Sequence, residues 1–488
     1  MPEPMMRGMP NSPTTPDRPR HHDGALLQDA ARRAGAFLDG LDGRRVGPRG
    51  GVDELRGLLA GPLPEDGEAA AAVIARLDEA AALGTMANAG PRFFGFVIGG
   101  VHPVALAADW LTSTWDQNAG LCALSPMVAV AEETAARWVL DLLGLPSGAS
   151  VGFVTGGQMA NFTALAAARH EVLHRLGWDV NARGLGGAPS IAVVAGAEAH
   201  VTVHRALRYL GIGTDALRVV ATDDEGRMRL DELERVLAGC AGPTIVCAQA
   251  GDVNSGAFDR FEEVAALCRA RSAWLHVDGA FGLWASAAPG RRHLTRGVEA
   301  ADSWAVDAHK WLNVPQDCGL AIVARPAAHH AALSANAAYL IKAEGRGRDA
   351  VDWTPEFSRR ARSLTVHAVL RQLGRRGVAD LVERCCSLAR RMAERLAAEP
   401  GVEVLNEVVL NQALLRFGGD GEAGDALTRA VVARVQREGS CWLGGTSWRG
   451  RAAMRISVIN WSTTAADIDA SAAAILGCLA EERRARAE

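Results

Sequence analysis

Lysine is nearly missing from this chain of 488 residues: of its 52 basic side chains only Lys310 and Lys342 are lysines, the rest being arginines. Any chemistry that needs a side-chain amine has two candidates. Alanine, glycine and arginine abound throughout, so the bias is read as the codon habit of a GC-rich genome. Tyrosine is as scarce, with only Tyr209 and Tyr339. A basic face is absent too: the formal net charge is −4 and spread along the chain, which argues against nucleic acid as a partner. The nine cysteines are scattered, odd in number and without a C-x-x-C pair, so neither a disulfide framework nor a zinc or other metal site is indicated. They read as reduced thiols of a cytoplasmic protein. The longest apolar run, Phe93 to Ala108, is interrupted by His102 and Pro103. It falls short of the roughly 20 residues a membrane helix needs. Residues 1–24 are polar and proline-rich with no apolar signal core, and are read as a disordered tail. There is no G-x-x-x-x-G-K-[ST] and hence no P-loop, and no internal repeat.

What is present is material for a large core, 49% of residues being hydrophobic. Residues 25–90 carry apolar residues at helical spacing and read as an N-terminal helical segment. Over residues 91–370, short Val- and Ile-rich runs (SVGFVTGG, APSIAVVAG, ALRVVAT, GPTIVCAQAG, AWLHVDGA, CGLAIVAR) alternate with amphipathic helices. That is the pattern of an α/β domain with a mostly parallel buried sheet. The stretch Arg362 to Ala398 reads as one long helix. Residues 371–488 then read as a small α+β domain, with antiparallel strands at VEVLN, NQALLRFG, SCWLGGTSW and AAMRISVIN.

In an open α/β sheet, ligands bind beyond the carboxyl ends of the strands. After SVGFVTGG, the pair Gly156-Gly157 leads through Gln158 into a helix, and such a turn can cradle a phosphate on backbone N–H groups. By itself it is as easily a structural turn. Asp278 ends the run WLHVDGAFG, where an acid can also serve merely as a cap or turn former. Lys310 lies in SWAVDAHKWLNVP among Trp304, Val306, Trp311 and Leu312. A lysine in such apolar company is activated as an amine nucleophile. Lys342 lies in a Gly- and Arg-rich segment that reads as a loop. Lysine, acid, phosphate turn and the flat His200 after SIAVVAG together suggest a Schiff-base site for pyridoxal 5′-phosphate.

These motifs, with EAHVTVHRAL, AGDVNSGAFD, DAHKWLNVPQDCG and MRISVINWSTT in order, resemble the group II pyridoxal-dependent decarboxylases, the aromatic-amino-acid and glutamate decarboxylase family of the aspartate-aminotransferase fold type I. The resemblance implies that Lys310 carries the cofactor as an internal aldimine, that Asp278 pairs with the pyridine nitrogen, and that Ala280 and His200 lie against the two ring faces. It implies phosphate contacts from Gly157, Gln158, Asp307 and His309, with Ser358 near the cofactor. Tyr339, in ANAAYLIK, corresponds to the loop tyrosine that returns a proton to substrate carbon through a quinonoid. Phe93, Phe96 and Asn118 fall where the substrate entrance is expected, and the segment holding Ser358 is expected to reach a homodimer interface that contains the active sites.

The chain departs from the common family pattern at Gln158, Asp252, Val253 and Gln316. Either these are neutral changes around decarboxylation of an amino acid to amine and carbon dioxide, or they accompany another outcome, oxidative deamination to an aldehyde or β-elimination. A catalytically inactive binding relative is the remaining class, and the joint presence of Lys310, Asp278, His200 and Tyr339 argues against it. Aromatic, aliphatic and heteroatom-bearing substrates all stay open. Arginines such as Arg92 or Arg455 could bind a second carboxylate, but with fifty of them no single one stands out, and their default reading is surface.

Overall fold

A computed structural model of the chain describes residues 23–335 and 347–488. Most of the N-terminal tail, Tyr339 and Lys342 lie outside the described residues. Two compact units are present. The smaller holds the helices Gly24–Asp39, Val52–Leu59 and Ala70–Gly84. Its first helix is capped by Asp23, and Arg33 links Asp29 to Asp78.

The larger unit is built on a seven-stranded sheet: β1 (Ser150–Val154), β2 (Ala192–Gly196), β3 (Leu217–Val220), β4 (Thr244–Gln249), β5 (Trp274–Asp278), β6 (Ser303–Asp307) and β7 (Gly319–Val323). The spatial order is β1-β7-β6-β5-β4-β2-β3. Only β7 runs against its neighbours, pairing antiparallel with both β1 and β6. Every residue of β1, β5, β6 and β7 is buried, as expected of strands covered on both faces by crossover helices. Trp274, Trp284, Trp304 and Trp311 are the largest fully buried side chains. Three of them satisfy the indole N–H: Trp274 on Ser303 Oγ, Trp284 on the Asp307 carbonyl and Trp304 on the Val298 carbonyl.

The second sheet is antiparallel, in the order β10-β11-β9-β8, from β8 (Val402–Val404), β9 (Gln412–Phe417), β10 (Gly444–Trp448) and β11 (Arg451–Ser457). The helix Ser363–Ala397 leads into it, and here the structure corrects the sequence reading of one unbroken helix. Gly374 interrupts it at φ 60°, ψ −177°, a conformation that side chains disfavour and glycine tolerates. Among the described residues no helix is long and apolar enough to cross a membrane.

Candidate active site

Because every strand of the large sheet except β7 runs the same way, the carboxyl ends of β1, β2, β5 and β6 open at one edge. Asp278 is the last residue of β5 and Asp307 the last of β6. Lys310 follows in the single turn Ala308–Trp311, held from below by the fully buried Ala308, Trp311 and Leu312. Its Nζ lies 3.1 Å from Asp307 Oδ2 and 5.8 Å from the centre of the Phe281 ring. Its surroundings are therefore an ion pair as well as the apolar residues the sequence foresaw. Asn313 fixes this turn: its Nδ2 donates to the carbonyls of Lys310, Trp311 and Ile459, and its Oδ1 accepts from the N–H groups of Gly100 and Trp461. The RFFGFVIGG segment crosses so closely that a Cβ on Gly99 would stand 2.1 Å from the Lys310 carbonyl oxygen.

Asp278 is buried and receives hydrogen bonds from Asn161 Nδ2 at 2.9 Å and the Ala280 N–H at 3.2 Å. His200 sits at the start of the helix Val201–Tyr209, its Nδ1 2.8 Å from Thr202 Oγ1. Burial depresses its pKa, an effect that the nearby Asp278 charge opposes and Lys310 and Arg455 reinforce. The helix Gly157–His174 begins beside Asp307, where a Cβ on Gly157 would lie 2.8 Å from Asp307 Oδ2. No side chain caps its first N–H groups, so they remain available to an anion. Gln158 turns its amide to the Thr202 carbonyl at 3.3 Å. His309 Nδ1 donates to the Cys318 carbonyl at 2.9 Å, and Asp307 Oδ1 is buried without a hydrogen-bond partner among the described residues.

Of the remaining residues singled out in the sequence, Phe93, Phe96, Asn118 and Asp252 have partners of their own. Phe93 is buried in a stack on Trp442, with ring centres 5.2 Å apart, and Phe96 stacks on the same indole while facing solvent. Asn118 Nδ2 lies 3.3 Å from the Oγ of the exposed Ser358. Asp252 organises its own loop, accepting from the N–H groups of Asn254 and Ser255 and from Gln249 Nε2. Gln316 is exposed.

Three residues of the site escaped the sequence reading. Asn161, Thr202 and His276 join Asp278 through side-chain hydrogen bonds. Their signal was position alone, inside the very motifs that supplied Gln158, His200 and Asp278. Arg455 of β11, which the sequence offered without singling it out, is half-buried rather than on the surface; its Nη1 donates to the Val253 carbonyl at 3.3 Å, and it has no carboxylate partner among the described residues. Burial lowers its pKa, with Asp252 partly compensating.

Residues 53–417 match the pyridoxal-dependent decarboxylase conserved domain. The human cysteine sulfinic acid decarboxylase is 29% identical over 441 residues, covering 86% of this chain and 87% of the relative. The L-2,4-diaminobutyrate decarboxylase of Rhizobium meliloti (strain 1021) is 30% identical over 429 residues, 86% of this chain and 83% of the relative. The acidic amino acid decarboxylase of Bos taurus is 29% identical over 363 residues, 73% of this chain and 68% of the relative. Among solved structures, Oryza sativa TDC with PLP and tryptamine superposes with a TM-score of 0.88 at 23% identity, covering 97% of this chain and 99% of that one. Mouse CSAD gives 0.84 at 25% identity, with coverage of 94% and 98%. A match across three-quarters of the chain, on the α/β architecture such solved structures share, makes this protein a member of the pyridoxal-dependent decarboxylase family, a carboxy-lyase whose cofactor is pyridoxal 5′-phosphate.

Proposed function

We propose that the protein removes the α-carboxylate of a short L-amino acid carrying a second acidic group, releasing the amine and carbon dioxide, with Lys310 as the cofactor's attachment point. What supports this reading is the meeting, at one sheet edge, of a lysine ammonium, a buried carboxylate and an uncapped helix N-terminus. The aldehyde, ring nitrogen and phosphate of the cofactor call for those three kinds of group. When bound, pyridoxal phosphate supplies a conjugated ring that accepts the electron pair left on the α-carbon as carbon dioxide departs. Asp278, oriented by Asn161 and the Ala280 N–H, holds a proton on the ring nitrogen. His200 would cover one ring face and exclude water, and Ala280 would lie against the other. The free N–H groups at Gly157 and Gln158 hold the phosphate, with Asp307 and His309 beside it, and Asp307 steadies Lys310. Tyr339 is the acid that returns a proton to the α-carbon, with His200 as the other candidate.

The substrate class is supported by Arg455, a half-buried cation without a carboxylate partner among the described residues and within electrostatic reach of His200. Relatives acting on acidic amino acids and on cysteine sulfinic acid agree with it. We further propose a homodimer with its active sites at the interface, supported by the exposed apolar side chains of Trp110, Leu111, Trp115, Leu124, Met127 and Val130. Asn118 and Ser358 lie on the segments beside these residues. The nine free cysteines suit the reducing cytoplasm.

The test is a panel of acidic, basic, aromatic and aliphatic L-amino acids given to the loaded protein, with products identified by mass. Amine and carbon dioxide from acidic substrates are expected, with Arg455→Ala raising KM about tenfold or more. Aldehyde plus ammonia, or pyruvate from a β-substituted substrate, overturns the reaction; turnover confined to aromatic or basic substrates overturns the substrate class. Lys310→Ala is expected to lack the visible band of the lysine-bound cofactor, and a variant that keeps the band overturns the attachment point.

A further inference from the structure

We infer that a buried line of hydrogen bonds running from Asp278 to Trp274 sets both the flip of Asn161 and the tautomer of His200, which makes His276, Asn161 and Thr202 positioning residues. The inference rests on the roles proposed for Asp278 and His200 and follows their support inward.

The directions are fixed from the carboxylate end. Asp278 Oδ2 only accepts, so Asn161 presents Nδ2 to it and Oδ1 to His276 Nε2, 2.8 Å away, which therefore carries the ring proton. In the neutral ring Nδ1 accepts and takes the Ser303 proton at 2.9 Å, while Ser303 Oγ accepts from the Trp274 indole N–H at 2.8 Å. Asn161 is thereby held in the flip that turns its Nδ2 toward the site. That nitrogen has two hydrogens and two partners, Asp278 Oδ2 at 2.9 Å and Thr202 Oγ1 at 3.0 Å. Thr202 has one proton to give. His200 Nδ1 at 2.8 Å takes it in preference to Asp278 Oδ2 at 3.4 Å. The Thr202 backbone N–H points at the same Nδ1, and it too only donates. His200 is left with its proton on Nε2.

Trp274, Ser303, His276 and Asn161 have no solvent exposure, so water cannot substitute for any link. Burial also pushes the His276 pKa well down, against the opposing charge of Asp278, which agrees with a neutral ring that accepts at Nδ1. A polar cluster serving only to fill the core would need no particular direction. This one has a direction, imposed by a carboxylate that only accepts.

The tautomer is read by nitrogen-15 NMR of histidine-labelled full-length protein, before and after loading with pyridoxal phosphate, with His200→Gln identifying the signal. Wild type and Thr202→Ser are expected to show an unprotonated Nδ1 and a protonated Nε2 at His200. Thr202→Val, which deletes the hydroxyl between Asn161 and His200, is expected to lose that signature and show averaging between tautomers. Asn161→Asp sets an oxygen against Asp278 in place of a donor, and is expected to weaken cofactor binding about tenfold or more. An unchanged His200 signature in Thr202→Val, a wild-type proton on Nδ1, or full cofactor affinity in a folded Asn161→Asp overturns the inference. Should Asn161→Asp fail to fold, the Thr202 pair decides alone. The histidine signals are read first without cofactor, so a wild type that never binds pyridoxal phosphate overturns the functional reading separately.

Discussion

His329 is buried against Trp353, its Nδ1 2.8 Å from Ser150 Oγ. Burial holds its pKa down at about 3, from an ordinary 6.5. His276 is displaced in the same direction for the same reason. Both rings bind a proton more readily in the unfolded chain, so the stability they confer is complete above about pH 6.5 and is lost as the pH falls toward the folded values. Asp259 works the other way: burial raises its pKa to about 6, so acidification from there toward 3.8 favours the folded state. Burial also raises the pKa of Glu198, Glu225, Asp252 and Asp302 and lowers that of His102, His170, His200 and His367. These smaller displacements oppose one another, and the two most displaced histidines set the sign. Between pH 7 and pH 5 the protein is expected to lose on the order of 1–3 kcal/mol of stability. Thermal unfolding measures this, and a Tm that holds level or rises over that interval contradicts it.

Among the elements, the stretch around Ser358 depends on one buried cation. Arg359 reaches Glu132 in the helix Pro126–Leu143 at 3.0 Å, the Ala119 carbonyl at 3.1 Å and the Phe153 carbonyl of β1 at 2.7 Å. It is completely buried and Glu132 nearly so, which leaves neither charge a solvent alternative. Arg359→Ala is therefore expected to cost about 3–5 kcal/mol, by stranding the Glu132 carboxylate. Denaturant unfolding of the two proteins gives the difference, and a loss below about 1 kcal/mol would show the pair to be dispensable. Sequence reading took each arginine as a surface residue by default, because fifty look alike in composition. Burial separates Arg359 and Arg416 from the rest, and the burial of Arg359 comes from strands and helices distant in sequence.

At the scale of the whole molecule, the exposed apolar side chains of the helix Pro103–Trp115 and of the start of the next helix are the surface proposed to meet a second copy. Paired Trp110→Glu and Val130→Glu changes are expected to yield a folded monomer by sedimentation, with activity lowered at least about tenfold if the sites need both subunits. A wild type that sediments as an active monomer contradicts the dimer. The α/β class, six of the seven strands of the large sheet, all four of the small one and the motifs holding Lys310, Asp278 and His200 were legible in the sequence, because apolar runs and their bounding turns are local properties. The break at Gly374 was not, since glycine is tolerated within a helix until packing demands a turn of the chain. Nor were the links from Trp274 through His276 and Asn161, which join β5, β6 and the helix Gly157–His174. The sequence by itself determined the strand-end motifs that carry Lys310, Asp278 and His200. Only the tertiary structure decided which of them are buried together and which way their protons point, because hydrogen-bond direction depends on partners that folding alone brings within reach.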